Sequence, residues 1–339
     1  MFAVLYKVEQ AHEESVWSCD WRKDEQTRVE HVVTGALDDV VKVWNWDDAE
    51  SSLRHSHDVL GHRLGVVSVD IDKQGQYAAS SSTDGTISVW QLASGLQVCS
   101  VERPPMDSWC VRFLPGTAAA EGGAPCWFAT GGQHGHVHLF SVGDPAADGA
   151  LDAAQDNDGG TPPPPSDKVA RKERTVETGG KFILSLAASP DGRLLAAASQ
   201  DGMIYVYDLE AANLASTVEG HAMPIRSMAF SADSQLLLTA SDDKYAKVHD
   251  VVRAGAQIVA TLPGHSSWVL SVDGSADGKR IATGSSDRSV RVWELGERQT
   301  LHAFKEHTDQ VWGVKFSPAG DRLLSVGEDR RALVYSVPS

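Results

Sequence analysis

The stretch Gly264-His265, followed by Thr283 and then by Asp287-Arg288-Ser289-Val290-Arg291-Val292-Trp293, decides the fold. Ser289-Val290-Arg291-Val292-Trp293 alternates polar and apolar residues and closes on an aromatic, which is the pattern of a half-buried strand. A turn aspartate, Asp287, lies six residues before that aromatic, Thr283 four before the aspartate, and His265 22 before it. Working outward, the aspartate-to-aromatic spacing recurs at Asp38 and Trp44, Asp84 and Trp90, Asp201 and Tyr207, and Asp329 and Tyr335. Weaker copies run from His134 to Phe140 and from Asp243 to His249. That makes seven units, most recurring at about 42 to 46 residues, the period of a four-stranded propeller blade.

The other two columns recur as well. Thr34, Ser80, Thr130, Thr239, Thr283 and Ser325 stand four residues before the turn position, and the column fails only at Ala197. His62, His221, His265 and His307 stand 22 before it, and His12 stands 26 before Asp38. Three units carry all four groups: His12, Thr34, Asp38 and Trp44; His62, Ser80, Asp84 and Trp90; His265, Thr283, Asp287 and Trp293. Tyr335 replaces Trp in the seventh unit and His249 in the fifth, while the third and fourth lack the upstream His. An indole N–H can donate to a hydroxyl, which donates to an imidazole whose other N–H needs a carboxylate. Such a chain, fully satisfied and buried, rigidifies a blade.

These columns resemble the WD-repeat family over essentially the whole chain. The resemblance implies an all-β fold, a single seven-bladed β-propeller over residues 1–339. The last unit ends at its third strand near Ala332 to Val337, and Val4-Leu5-Tyr6-Lys7-Val8 reads as a strand. The N-terminal strand is therefore expected to complete the last blade and pair its exposed edge. Residues 143–168, rich in Asp, Gly, Ala and Pro, read as a disordered low-complexity loop between the third and fourth strands of the third blade. The next strand is expected near Arg171 to Glu177. A smaller insertion, Gly116 to Pro125, falls between that blade's first two strands, and both insertions leave the face opposite the Asp turns. They read as surface decoration, with a Pro-rich docking segment as the alternative.

Composition narrows the function. Thirty Lys+Arg against 46 Asp+Glu give a net charge of -16, a field that disfavours phosphate backbones and anionic lipid. No apolar run approaches the ~20 residues of a membrane span. The N-terminus lacks the features of a secretory signal, and Cys19, Cys99, Cys110 and Cys126 show no C-x-x-C pair, so free thiols in a reducing compartment are expected. No phosphate-binding loop, nucleophile elbow or H-E-x-x-H occurs, and no catalytic residue, cofactor or metal is expected. His134-Gly135-His136-Val137-His138 is the one metal-like cluster. Alternation puts His136 and His138 on one strand face, no third ligand is evident, and they read as ordinary surface histidines.

The remaining tryptophans point to binding. Five residues after the tetrad histidine, in the innermost strand near the Asp-turn face, the units carry Trp17, Val67, Trp109, Leu184, Arg226, Leu270 and Trp312. Two positions earlier stand Phe182 and Trp268 in their units. Trp17, Trp109, Phe182, Arg226, Trp268 and Trp312 are thus expected to ring the mouth of the central channel as a partner-binding rim, the alternative being that they pack between blades.

Within the WD-repeat family, Leu37-Asp38-Asp39-Val40-Val41-Lys42-Val43-Trp44, Leu64-Gly65-Val66-Val67-Ser68-Val69-Asp70-Ile71 and Gly220-His221-Ala222-Met223-Pro224-Ile225-Arg226-Ser227 are similar to the branch that serves the superkiller (Ski) complex, as is Asp309-Gln310-Val311-Trp312-Gly313-Val314-Lys315. The resemblance implies a non-enzymatic adaptor, a monomeric propeller in a hetero-complex with a tetratricopeptide-repeat scaffold and an RNA helicase. It would support exosome-mediated 3′–5′ mRNA decay in the cytoplasm, without touching nucleic acid or membrane itself. It implies a second place in the nucleus, in the polymerase-associated-factor (PAF) elongation complex. An adaptor of another assembly, a ubiquitin-ligase substrate receptor or a ciliary complex, stays open.

Overall fold

The computed structural model describes residues 1–115, 126–143, 169–251 and 257–338. They form seven four-stranded antiparallel sheets, each following chain order from the innermost strand outward except the last. Blades 1 to 6 cover residues 16–59, 66–102, 110–177, 183–219, 225–262 and 269–304, and blade 7 covers 311–336 together with Ala3–Val8. Each innermost strand packs against the next and the last against the first, so the blades close into a β-propeller.

The core lies between blades rather than in one centre. Seven apolar clusters each join two neighbours; one holds Val33, Val41 and Val43 of blade 1 against Val66, Val69 and Ile71 of blade 2. Hydroxyls and carboxylates of the innermost strands stitch the same interfaces. Val69, Val111, Met228, Val272 and Val314 donate their backbone N–H to Ser18, Ser68, Ser185, Ser227 and Ser271 of the preceding blade. Ile71, Phe113 and Phe316 donate likewise to Asp20, Asp70 and Asp273, at 2.9, 2.7 and 2.9 Å.

Closure comes from the N-terminus. Ala3–Val8 lies antiparallel to Ala332–Ser336, with Ala3 opposite Ser336 and Val8 opposite Ala332. Tyr6 and Val8 pack into the cluster shared by blades 7 and 1, and Phe2 stacks on His302 of blade 6 at 4.9 Å. A second tie joins blades 7 and 1: the nearly buried Arg322 lies over Trp21 and Trp46, 5.7 and 5.0 Å from their ring centroids. It also pairs with Glu30 at 3.5 Å and with Asp48.

Inside the blades the four-residue chains form. Trp293 Nε1–H donates to Thr283 Oγ1 at 2.9 Å, that hydroxyl meets His265 Nε2 at 2.8 Å, and His265 Nδ1 meets Asp287 at 2.9 Å. Blade 1 repeats this with Trp44, Thr34, His12 and Asp38 at 3.0, 2.7 and 3.0 Å. His249 takes the Trp place in blade 5, 3.1 Å from Thr239 Oγ1, and Tyr335 takes it in blade 7, 3.1 Å from Ser325 Oγ. Blade 2 departs from the expected chain. His62 Nδ1 meets Thr86 Oγ1 at 2.7 Å, and Thr86 donates to Asp84 at 2.6 Å. Blades 1 and 7 carry Val40 and Arg331 at that position, and their imidazoles, like those of His221 in blade 5 and His265 in blade 6, reach the carboxylate directly. After the turn Asp, or His134 in blade 3, every blade needs a left-handed residue. Gly85, Gly135 and Gly202 supply it at φ 90°, 68° and 85°, and Asp39, Lys244, Arg288 and Arg330 adopt it at φ 68°, 76°, 69° and 64°.

The chain makes a sharp stability prediction. Thr283→Val keeps the side-chain volume but leaves Trp293 Nε1 and His265 Nε2 buried without partners, which costs about 2–4 kcal/mol. Urea melts should show it; a change below about 0.5 kcal/mol would refute the hydroxyl's role.

Blade 3 is built differently. Pro104 holds the histidine slot, and His138 is buried rather than a surface histidine. Alternation fixed its face, but its depth comes from Arg103 and Asp107 in the preceding connection. Arg103 Nη2 lies 2.9 Å from His138 Nε2 and 2.7 Å from Asp107, and His138 Nδ1 meets Thr175 at 3.0 Å. The His136 and His138 rings do share a face, 5.9 Å apart. No group of His, Cys, Asp and Glu among the described residues could hold a metal ion. The outer strand runs Val169–Glu177, starting two residues before the expected Arg171, and Gly143 is the last strand residue before it. Residues 116–125 and 144–168, on which the insertion readings fall, lie outside the described residues. The flanking strand ends, Leu114 opposite Trp127 and Gly143 opposite Val169, sit at the edge away from the Asp turns.

Candidate functional site

The innermost strands enclose a channel with a cavity of about 420 Å³. The whole column Trp17, Val67, Trp109, Leu184, Arg226, Leu270 and Trp312 lines it. Three residues farther along each strand stand Asp20, Asp70, Arg112, Ala187, Ala229, Asp273 and Lys315, a belt of charges broken by alanines in blades 4 and 5. Lys315 Nζ bridges Asp20 and Asp273 at 3.3 and 3.2 Å. Burial would raise the Asp20 carboxyl, but Lys315 and Arg22 outweigh it and hold it below the ordinary range. Burial prevails at Asp70, pushed up to about 6 with Arg112 opposing. Each carboxylate also accepts a neighbour's N–H, so the belt is a staple rather than a reactive site. Cys19, Cys99 and Cys110 form no disulfide among the described residues, and burial pushes Cys110 up to about 12, so it carries no reactive thiolate.

The aromatics meet at the Asp-turn mouth. Trp312 of blade 7 stacks on Trp17 of blade 1 with centroids 4.8 Å apart and planes 23° apart. Trp17 meets Trp109 edge-on at 6.0 Å, and Trp109 meets Phe182 edge-on at 5.6 Å. Trp17 reaches past blade 2 to blade 3 because blade 2 offers only the buried Val67 and Gly65, where a Cβ would lie 2.6 Å from Leu37. These four rings are half-buried, packed on one another across the mouth. Trp268 is 43% exposed, and the Arg226 guanidinium lies 5.9 Å from its centroid.

Two residues that the sequence reading passed over hold this rim. Glu328 accepts Trp312 Nε1–H at 2.6 Å and the Ser15 hydroxyl at 2.8 Å, bridging blades 7 and 1. Asp242 takes Arg226 in a two-pronged pair at 2.9 and 2.7 Å. Both stand immediately before the turn aspartate, Asp329 or Asp243, so an acid in that column was the available signal. The Trp17 indole N–H is buried and finds no acceptor among the described residues.

The geometry is an aromatic mouth with an acidic brace and an exposed Trp268 beside the partly buried Arg226, suited to holding a chain segment. The model of the WD domain, G-beta repeat, matches residues 4–45, 53–91, 172–208, 212–250, 256–294 and 298–336. This chain belongs to the WD-repeat family. The longest unmatched stretch, 92–171, is the one in which Pro104 and His134 replace the usual His and Asp. WD repeat-containing protein SL1-17 of Schistosoma mansoni is 36% identical over 335 residues, 99% of both chains. WD repeat-containing protein VIP3 of Arabidopsis thaliana is 37% identical over 223 residues, 66% of this chain and 62% of that one. Superkiller complex protein 8 of Dictyostelium discoideum is 28% identical over 114 residues, 34% of this chain and 36% of that one. WD-repeat propellers are typically non-catalytic interaction scaffolds.

Proposed function

We propose that this WD-repeat chain is a non-enzymatic adaptor that seats a partner on its Asp-turn rim. We further propose that its main assembly is the superkiller complex, in company with a tetratricopeptide-repeat scaffold and an RNA helicase. The observation carrying the docking reading is the stack of Trp17 on Trp312, braced by Glu328 and left half open to solvent. Large rigid aromatics dominate binding hot spots because they bury much area at low entropy cost. The choice of assembly is supported by the quoted stretches and by the likeness to the superkiller complex protein of Dictyostelium discoideum. In this reading the chain works in the cytoplasm in support of exosome-mediated 3′–5′ decay and in the nucleus with the PAF complex. The net charge of -16 supports a protein partner rather than RNA.

Affinity purification of the tagged full chain with quantitative mass spectrometry tests the assignment. Co-enrichment of a tetratricopeptide-repeat scaffold and an RNA helicase is expected, with PAF subunits in nuclear extracts. Enrichment of a ubiquitin-ligase or ciliary assembly in their place would overturn it.

A further inference from the structure

We propose that blades 3 and 4 form one locally opening unit of an otherwise riveted ring, and that this unit carries half of the aromatic mouth. Five blades hold a continuous chain from turn carboxylate to imidazole to hydroxyl to ring, in blade 2 by way of Thr86 between carboxylate and imidazole. Blades 3 and 4 do not. In blade 3 Thr130 is fully buried, yet its Oγ1 has no partner among the described residues, because Pro104 fills the slot of the imidazole that would meet it. Ser108 Oγ, Asp107 Oδ1 and Arg103 Nε of the same blade's leading connection are buried and unpartnered too. Buried polar atoms without partners regain hydrogen bonds when the structure opens to water, so they lower the cost of opening.

Blade 4 has Ala197 at the hydroxyl position. Its ring residue, Tyr207, donates to the Glu177 carbonyl of blade 3 at 2.9 Å rather than to a chain of its own. Tyr207 and Ala197 also share an apolar cluster with Val137 and Leu139 of blade 3, so the two blades are tied to each other. The seryl stitch is absent between blades 7 and 1, where Gly313 stands, and inside this unit as well: Cys110 stands where Ser68 or Ser185 would be, and its thiol faces the Gly131 carbonyl of its own blade. Arg112 Nε on the Leu186 carbonyl replaces it at 3.1 Å. Blade 3, with four such atoms, is the least satisfied blade among the described residues, and local opening of such a region is how stability comes to vary across a fold. Trp109 and Phe182 ride on these blades, so opening separates them from Trp17 and Trp312.

Amide hydrogen exchange on the full chain, read by mass spectrometry, tests this. Peptides from 126–143 and 194–208 should exchange at least tenfold faster than 30–47 of blade 1 and 280–294 of blade 6. Thr283→Val should bring 280–294 into the fast range while 30–47 stays slow. Uniform exchange across the blades, faster exchange in blade 1 or 6 of the unmodified chain, or an unmoved blade 6 in the variant would overturn the proposal.

Discussion

Removing residues 1–10 should lower the melting temperature by about 10 °C or more. Ala3–Val8 is the outermost strand of blade 7, and its loss leaves the Ala332–Ser336 edge unpaired. It also uncovers His302 and Phe304, which Phe2 meets at 4.9 Å stacked and 6.2 Å edge-on. Losing the burial of Phe2, Tyr6 and Val8 and a strand's ladder of hydrogen bonds costs on the order of 5 kcal/mol. In a chain of this length each kcal/mol moves the melt by roughly 2 °C. The Arg322 tie between blades 7 and 1 remains, so the shortened ring is expected to fold but to melt early. An unchanged melting curve would show that the strand is ornamental.

Acid should weaken the protein well above the ordinary carboxylate range. Burial pushes His62 down to about 4, with Asp84 opposing only in part. Burial, aided by His221 and Lys247, pushes His249 down to about 3, and burial with Arg103 and Lys172 pushes His138 down to about 4. Unfolded, these imidazoles take up protons near pH 6.5, so between pH 6.5 and 4 the unfolded chain holds protons that the native one refuses. Stability from these groups is complete above pH 6.5 and drains as the pH falls toward 4. Asp70, raised to about 6, runs the other way and offsets part of it. The net loss is on the order of 5 kcal/mol. A second loss follows at lower pH. Burial would raise the Asp38, Asp243 and Asp329 carboxyls, but the bonds from His12, His221 and His307 hold them below the usual range. Urea midpoints at pH 7.5 and 5 measure the first loss, and equal midpoints would contradict it. His249→Trp, which restores the commoner ring, should flatten the slope.

The fold was legible because a tetrad is local. His265 leads directly into the blade that holds Thr283, Asp287 and Trp293, so their spacing survives as a sequence pattern, and the three-strand last unit left an edge for Ala3–Val8. What depends on a neighbouring blade was not legible. Ser18 and Asp20 matter for the N–H groups of Val69 and Ile71, some 51 positions away, and no spacing within a unit reveals that. The Arg322 bed between Trp21 and Trp46 joins the two ends of the chain and was invisible for the same reason. Likewise the column placed Trp17, Trp109 and Trp312 on one mouth, but the skip across blade 2 and the Glu328 brace needed coordinates.

The rim's role is tested most directly by the double variant Trp17→Ala/Trp312→Ala. Its affinity for the co-purified tetratricopeptide-repeat scaffold would be compared with that of the unmodified chain by biolayer interferometry, with circular dichroism confirming an intact fold. Removing two stacked hot-spot rings should cost about 2 kcal/mol or more, a loss of roughly thirtyfold. A folded double variant that binds the scaffold within twofold of the unmodified chain would contradict the account.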